Sequence, residues 1–172
     1  MRRTTSILLL CIVLAAGALP AAAQAPDAVA QASAATARVA EAYFDAYVAR
    51  DWDRLAPLLA ENGGFADPTA EPLFGKVDVA GKPATLRYFR ENYAAIREMR
   101  FERTRAFFSG QHAVFEGTLD WTLALGDGKQ VRTQAMPLVT ILRLEGGRVV
   151  EHRDYADYAP FVAAHRRAQA GG

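Results

Sequence analysis

The residues with the most chemical potential lie near the C-terminal end, in Gly147-Arg148-Val149-Val150-Glu151-His152-Arg153-Asp154-Tyr155. A strand through this segment turns His152 and Asp154 to one face and Glu151 and Arg153 to the other. A carboxylate on the buried face of a strand is costly unless neighbours donate to it or a proton neutralises it. Asp154 is therefore the first candidate acid or base, with His152 as the group that shares or relays its proton. An earlier run, Ala113 to Leu125, carries a second acid, Asp120. Asp120 turned inward would take Thr118 and Glu116 with it and send Leu119 and Trp121 to the outer face. Two carboxylates across a shielded pocket repel, so one holds its proton more tightly and the two form an acid–base pair.

The plain alternative is structural. Arg100, Arg103, Arg105, Arg132 and Arg143 also fall on expected strands, where any of them can pair with either acid. Asp67 before Pro68 is the kind of residue that closes a turn. Tyr43, Tyr47, Trp52, Tyr88 and Tyr93 fall on expected helices as core and pocket wall, and a tyrosine there can still offer its hydroxyl to a ligand. The expected ligand contacts are Tyr43, Trp52, Phe65, Asp67, Tyr88 and Thr118. His112, His152 and His165 are too scattered to suggest a metal site. No phosphate-binding glycine loop, nucleophile elbow or dinucleotide fingerprint is present, so no cofactor is expected.

These side chains need a scaffold. From Ser33 to Arg50, Ala35, Val39, Ala40, Tyr43, Phe44, Tyr47 and Val48 follow a helical period. Asp51 can cap a short second helix, which Asn62-Gly63-Gly64 would stop. Phe65 to Pro68 is extended because the residue before a proline avoids the helical region. A brief strand is expected at Leu73 to Val77, and Pro83 opens a third helix. The period then changes to that of a sheet. Strands are expected at Arg100–Phe108, Ala113–Leu125, Val131–Leu144 and Arg148–Tyr155, joined by glycine-containing turns. A last helix spans Ala159 to Arg167. Helices ahead of an antiparallel meander predict an α+β domain. The N-terminal helices would pack on the concave face of a curved, cone-shaped antiparallel sheet, with an apolar pocket at its open end.

The N-terminus reads as a signal peptide. Arg2 and Arg3 precede the apolar run Ile7 to Ala16, and Ala21-Ala22-Ala23 offers small residues for cleavage. The run is short for a membrane span, so a periplasmic or secreted location is expected. Residues 1–23 are the leader, 24–32 a flexible exit and 33–172 the domain. Cleavage would remove Cys11, the only cysteine, so packing alone must hold the fold. The 149 residues left of 172 suffice for one core. Loss of Arg2 and Arg3 turns 20 basic against 19 acidic side chains into 18 against 19. No basic run remains, so neither nucleic acid nor, after cleavage, a membrane is an expected partner.

Three segments carry a family resemblance. Tyr43-Phe44-Asp45-Ala46-Tyr47 through Asp51-Trp52 resembles the opening helix pair of the SnoaL-like branch of the nuclear transport factor 2-like superfamily. Phe65-Ala66-Asp67-Pro68 resembles its pocket-mouth segment, and Gly147 to Asp157 its final strand. The resemblance runs from about Ala34 to Phe161. It implies a conical pocket for a small hydrophobic molecule and, in polyketide cyclases and the more distant epoxide hydrolase and ketosteroid isomerase relatives, cofactor-independent acid–base chemistry. Other members are non-catalytic binding or interaction domains. Carried over from limonene epoxide hydrolase, Asp154 matches one catalytic acid and Asp120 aligns with the other. Thr118, Phe65 and Asp67 stand where that enzyme has Arg, Tyr and Asn, which argues against epoxide hydrolysis by the same arrangement. The resemblance also implies a homodimer through the sheet face, for which an outward Leu119-Trp121-Leu123 patch would serve.

Overall fold

The computed structural model describes residues 25–126 and 128–170. The leader read in residues 1–23 lies outside the described residues.

The first helix, α1, runs from Ala25 to Ala49. It starts well before Ser33, so the expected flexible exit is helical from Ala25, with Val29 left 60% exposed. Its second half buries Thr36, Ala40, Tyr43, Phe44 and Tyr47, a stripe with helical spacing. Arg50 ends it at φ 58°, and its guanidinium donates to the carbonyls of Ile96 and Arg97. Asp51 then caps α2 (Trp52–Leu55) by accepting from Arg54 N at 3.0 Å. Asn62-Gly63-Gly64 does not break the chain as expected. It lies within β1 (Leu59–Ala66), where the register against the neighbouring strand shifts.

A short α3 (Glu71–Phe74) replaces the strand expected at Leu73, and the extended pair β2 (Asp78–Val79) follows. Then come α4 (Lys82–Asn92), β3 (Ile96–Ser109), β4 (His112–Ala124), β5 (Gln130–Glu145), β6 (Arg148–Ala156) and α5 (Ala159–Ala170). The strand order is β2-β1-β6-β5-β4-β3. The sheet is mixed rather than antiparallel throughout, because β1 pairs with β6 in parallel. It does not close.

One face of this sheet is apolar. Phe44 of α1 stacks on Phe115 at 4.2 Å and meets Phe101 edge-on at 5.0 Å. A second cluster, under α5, joins Leu119, Val131, Met136 and Leu138 to Phe161 and Ala164. Alternation on β4 is therefore opposite to the expectation. Phe115 and Leu119 face the helices, while Glu116, Thr118 and Asp120 share the other face. Leu119, Trp121 and Leu123 belong to the inner clusters and form no outward patch.

Candidate active site

The site is built where β6 lies between β5 and β1, beneath α1 and α4. His152 and Asp154 both point inward, with 0% and 4% of their surface exposed. Asp154 accepts three hydrogen bonds. Thr140 Oγ1 of β5, its cross-strand neighbour, donates to Oδ1 at 2.5 Å. His152 Nε2 donates to the same oxygen at 3.0 Å, and Tyr47 Oη of α1 donates to Oδ2 at 2.7 Å. His152 Nδ1 lies 3.2 Å from Tyr43 Oη, so a neutral imidazole with its proton on Nε2 satisfies both contacts. The sequence placed His152 beside Asp154, and the fold adds a hydroxyl behind each.

Tyr47 and Tyr93 hydroxyls are 2.6 Å apart. Because Tyr47 gives its proton to Asp154, Tyr93 donates to Tyr47. A line of hydrogen bonds thus runs Tyr93–Tyr47–Asp154. Burial, and next the negative field of Asp154, raise the Tyr43, Tyr47 and Tyr93 pKa values, the last two well above 10.0. These phenols therefore remain neutral donors at physiological pH.

Two neighbouring spaces with shared wall residues meet this line. A vestibule of about 260 Å³ is bounded by Phe65, Asp67, Tyr88, Tyr93, Trp121 and Tyr158 among others. A small inner void of about 30 Å³ borders Asp67, Tyr93, Trp121 and Tyr158 as well, and reaches Tyr47 and Asp154. The void is large enough for a water and too small for an organic ligand. Tyr93, Asp67, Trp121 and Tyr158 belong to both walls.

Asp67 does two things. Its Oδ1 accepts from Thr69 N, Thr69 Oγ1 and Ala70 N at 2.6–3.0 Å, closing the turn as expected from its place before Pro68. Its Oδ2 accepts from Tyr158 Oη at 2.6 Å on the cavity wall. Burial first, then that hydrogen bond, raises the Tyr158 pKa.

The other expected residues divide. Phe65 and Tyr88 line the vestibule, and Tyr43 stands behind His152. Trp52 backs the wall by stacking on Phe89 at 5.0 Å. Asp120 and Thr118 are elsewhere. Asp120 sits on the opposite face, within 3.4 Å of Arg100, and accepts from Ala135 N at 2.7 Å. The expected pair of carboxylates from β4 and β6 is not formed; the carboxylates that share a chamber are Asp67 and Asp154. Sequence reasoning missed Thr140, Trp121 and Tyr158 as site residues and left Tyr47 and Tyr93 as wall. The available signal was the pair Tyr43 and Tyr47, which puts two hydroxyls four residues apart on an apolar helix stripe.

Comparison with known proteins agrees with this fold. Residues 40–152 match the family model of the SnoaL-like domain. Two provisionally described SnoaL-like polyketide cyclases are similar in structure. The one from Shewanella denitrificans is 19% identical at a TM-score of 0.65, over 80% of this chain and 98% of its own. The one from Shewanella putrefaciens is 22% identical at 0.64, over 80% and 97%. An LEH-like epoxide hydrolase of M. tuberculosis is 17% identical at 0.60, over 81% and 95%. At such identities the likeness is one of fold. Among curated proteins, none matches the sequence.

Proposed function

This chain belongs to the SnoaL-like domain family, and from that premise we propose that it binds a small, mostly apolar molecule in the vestibule and moves a proton on it without a cofactor. The observation that carries this reading is the line Tyr93–Tyr47–Asp154, which connects the cavity wall to a buried carboxylate by hydrogen bonds of 2.6 and 2.7 Å. A proton leaving a ligand oxygen enters Tyr93 as Tyr93 hands its own to Tyr47 and Tyr47 hands its own to Asp154. Each hydroxyl gains one proton and loses one, so no phenolate forms. The reverse sequence returns the proton to another atom of the ligand, and the net change is an isomerisation, a cyclisation or, with water from the inner void, a hydrolysis. His152, Thr140 and Tyr43 hold the carboxylate in place. Asp120 and Thr118, on the far face, have no part in this path.

Thermal-shift screening of small apolar oxygenated compounds, with mass spectrometry of each hit, tests the proposal. Wild type should convert at least one ligand, and Asp154→Asn should bind it without converting it. A second reading, a non-catalytic binding domain, has one observation in its favour: Asp154 is already satisfied by three donors and touches only the small void. Ligands that bind wild type and are recovered unchanged would establish it.

Two wider proposals accompany this one. We place the protein in the periplasm or outside the cell, on the leader read in residues 1–23. Mass spectrometry of the expressed protein should show a chain beginning at Gln24. We also propose a homodimer through the outer sheet face. There Phe107 pairs with Val114, Val114 with Ile141, and Val139 with Tyr155. The pairs Arg105–Glu116 and Arg143–Glu151 flank this stripe with both signs of charge, which suits a two-fold related copy.

A further inference from the structure

We propose that Tyr158, its own proton fixed on Asp67, selects the ligand as a hydrogen-bond acceptor, and that the ligand class is a compact apolar molecule carrying a hydroxyl donor: an alcohol, a phenol or an enol. The inference rests on the cavity reading above and adds the kind of polar group that the ligand presents.

The direction of the hydrogen bonds carries it. Asp67 Oδ1 accepts from Thr69 N, Thr69 Oγ1 and Ala70 N, and Oδ2 accepts from Tyr158 Oη at 2.6 Å. An ionised carboxylate only accepts, so the single phenolic proton of Tyr158 points at Asp67 and is withheld from a ligand. A lone pair is what the oxygen has left. Tyr158 is half-buried, and both it and Asp67 border the vestibule and the inner void. Beyond Cβ, Asp67 has only its carboxyl, so the Asp67–Tyr158 hydrogen bond lies along this shared wall. After burial and that bond, the fields of Asp67, Tyr93 and Asp154 raise the Tyr158 pKa, as expected of a hydroxyl set among those groups. Tyr93 repeats the pattern, its proton given to Tyr47 as that of Tyr47 is given to Asp154. Two phenols bordering both chambers thus offer lone pairs and no proton.

The other polar groups of the vestibule do not reverse this. Lys76 and Asn92 are exposed; Lys76 pairs with Asp78 at 3.0 Å, and the Asn92 amide donates to the Tyr88 carbonyl. Tyr88 borders the vestibule but not the inner void, and among the described residues none hydrogen-bonds its hydroxyl. A free hydroxyl rotates to suit, so Tyr88 serves a ketone and an alcohol alike. Deeper in, a carbonyl oxygen would meet the lone pairs of Tyr93 and Tyr158, whereas a hydroxyl gives its proton to one of them. Phe65, Phe74, Val77, Ile96 and Leu123 suit a hydrocarbon frame around it.

The test uses one ring with and without a donor, cyclohexanol and cyclohexanone, titrated into protein labelled with ¹³C at tyrosine Cζ. Wild type should bind the alcohol about tenfold more tightly than the ketone, and the Tyr158 signal, assigned with Tyr158→Phe, should move with the alcohol. Asp67→Asn supplies a reversal. Its amide oxygen stays with the N–H groups of Thr69 and Ala70, so its amide N–H donates to Tyr158 and the phenolic proton turns into the chamber. The ketone should then bind at least as tightly as the alcohol. Equal wild-type affinities, a wild-type preference for the ketone, an unmoved Tyr158 signal, or a preference for the alcohol undiminished in folded Asp67→Asn would each overturn the inference while leaving the cavity a ligand site. The wild-type affinities and signal decide the matter alone where Asp67→Asn does not fold. Binding of neither molecule at millimolar concentration would count against the cavity reading itself, and the inference with it.

Discussion

Asp154 is held by three donors from three elements, and removing any one leaves part of a buried carboxylate unpaired. Thr140→Val should therefore destabilise the fold by about 1–3 kcal/mol, measured by urea denaturation. Unchanged stability would mean that water replaces the hydroxyl. Asp154→Asn should lower turnover of an identified ligand by about 10²–10⁴-fold, the usual worth of a positioned acid or base, with little change in ligand affinity. The His152–Asp154 half of this arrangement was legible because strand alternation fixes a common face for residues two apart. The Thr140 half was not, since it depends on which β5 residue lies opposite Asp154, and register is set by turns and bulges far from the site. Tyr47 and Tyr93 were legible as wall residues. Their hydrogen bond was hidden because Tyr93 follows α4, and no sequence spacing relates it to α1.

At the scale of elements, β4 shows what alternation alone cannot decide. Its period of two was plain from the sequence, but its phase was read from a functional expectation about Asp120 rather than from the apolar residues. Leu119, Phe115 and Ala113 are almost fully buried, and burying them leaves Asp120 outside. There the carboxylate has a local structural use. Ala135 adopts φ 50° where β5 bulges against β4, and its N–H donates to Asp120. Asp120→Ala should cost about 1 kcal/mol and leave ligand binding and turnover as they were; a large loss of turnover would restore Asp120 to the site. Gly117 of the same strand has a different constraint. A Cβ there would stand 2.1 Å from the Glu102 carbonyl oxygen across the strand pair. Gly117→Ala should destabilise by roughly 1–3 kcal/mol by forcing β3 and β4 apart, seen as a lower Tm. The parallel β1–β6 pairing escaped the sequence reading for a related reason, since the glycines that suggested a chain reversal instead let β1 run close to its neighbours, Gly63 against the Val149 carbonyl of β6 and Gly64 against the Val79 carbonyl of β2.

For the whole molecule, the buried tyrosines join stability to the site. Tyr43, Tyr47, Tyr93 and Tyr158 have raised pKa values in the fold, so each prefers to stay protonated there. Their contribution is complete below pH 10 and is lost as pH rises from that value through the folded one. Stability in urea should be insensitive to them up to about pH 9, then fall by about 1.4 kcal/mol per pH unit for each such tyrosine. The double change Tyr47→Phe with Tyr93→Phe should make that fall shallower. The outer face carries its own expectation: sedimentation at micromolar concentration should give a dimer, and Ile141→Glu a monomer. A wild-type monomer would remove the sheet-face proposal without touching the cavity. The proposed proton movement depends on the tyrosine path between cavity and carboxylate. Its most direct test is the rate at which Tyr93→Phe converts the first ligand found by thermal shift, beside wild type and Asp154→Asn. Binding near wild-type affinity with turnover as low as in Asp154→Asn is the predicted result. Wild-type turnover by Tyr93→Phe would contradict it.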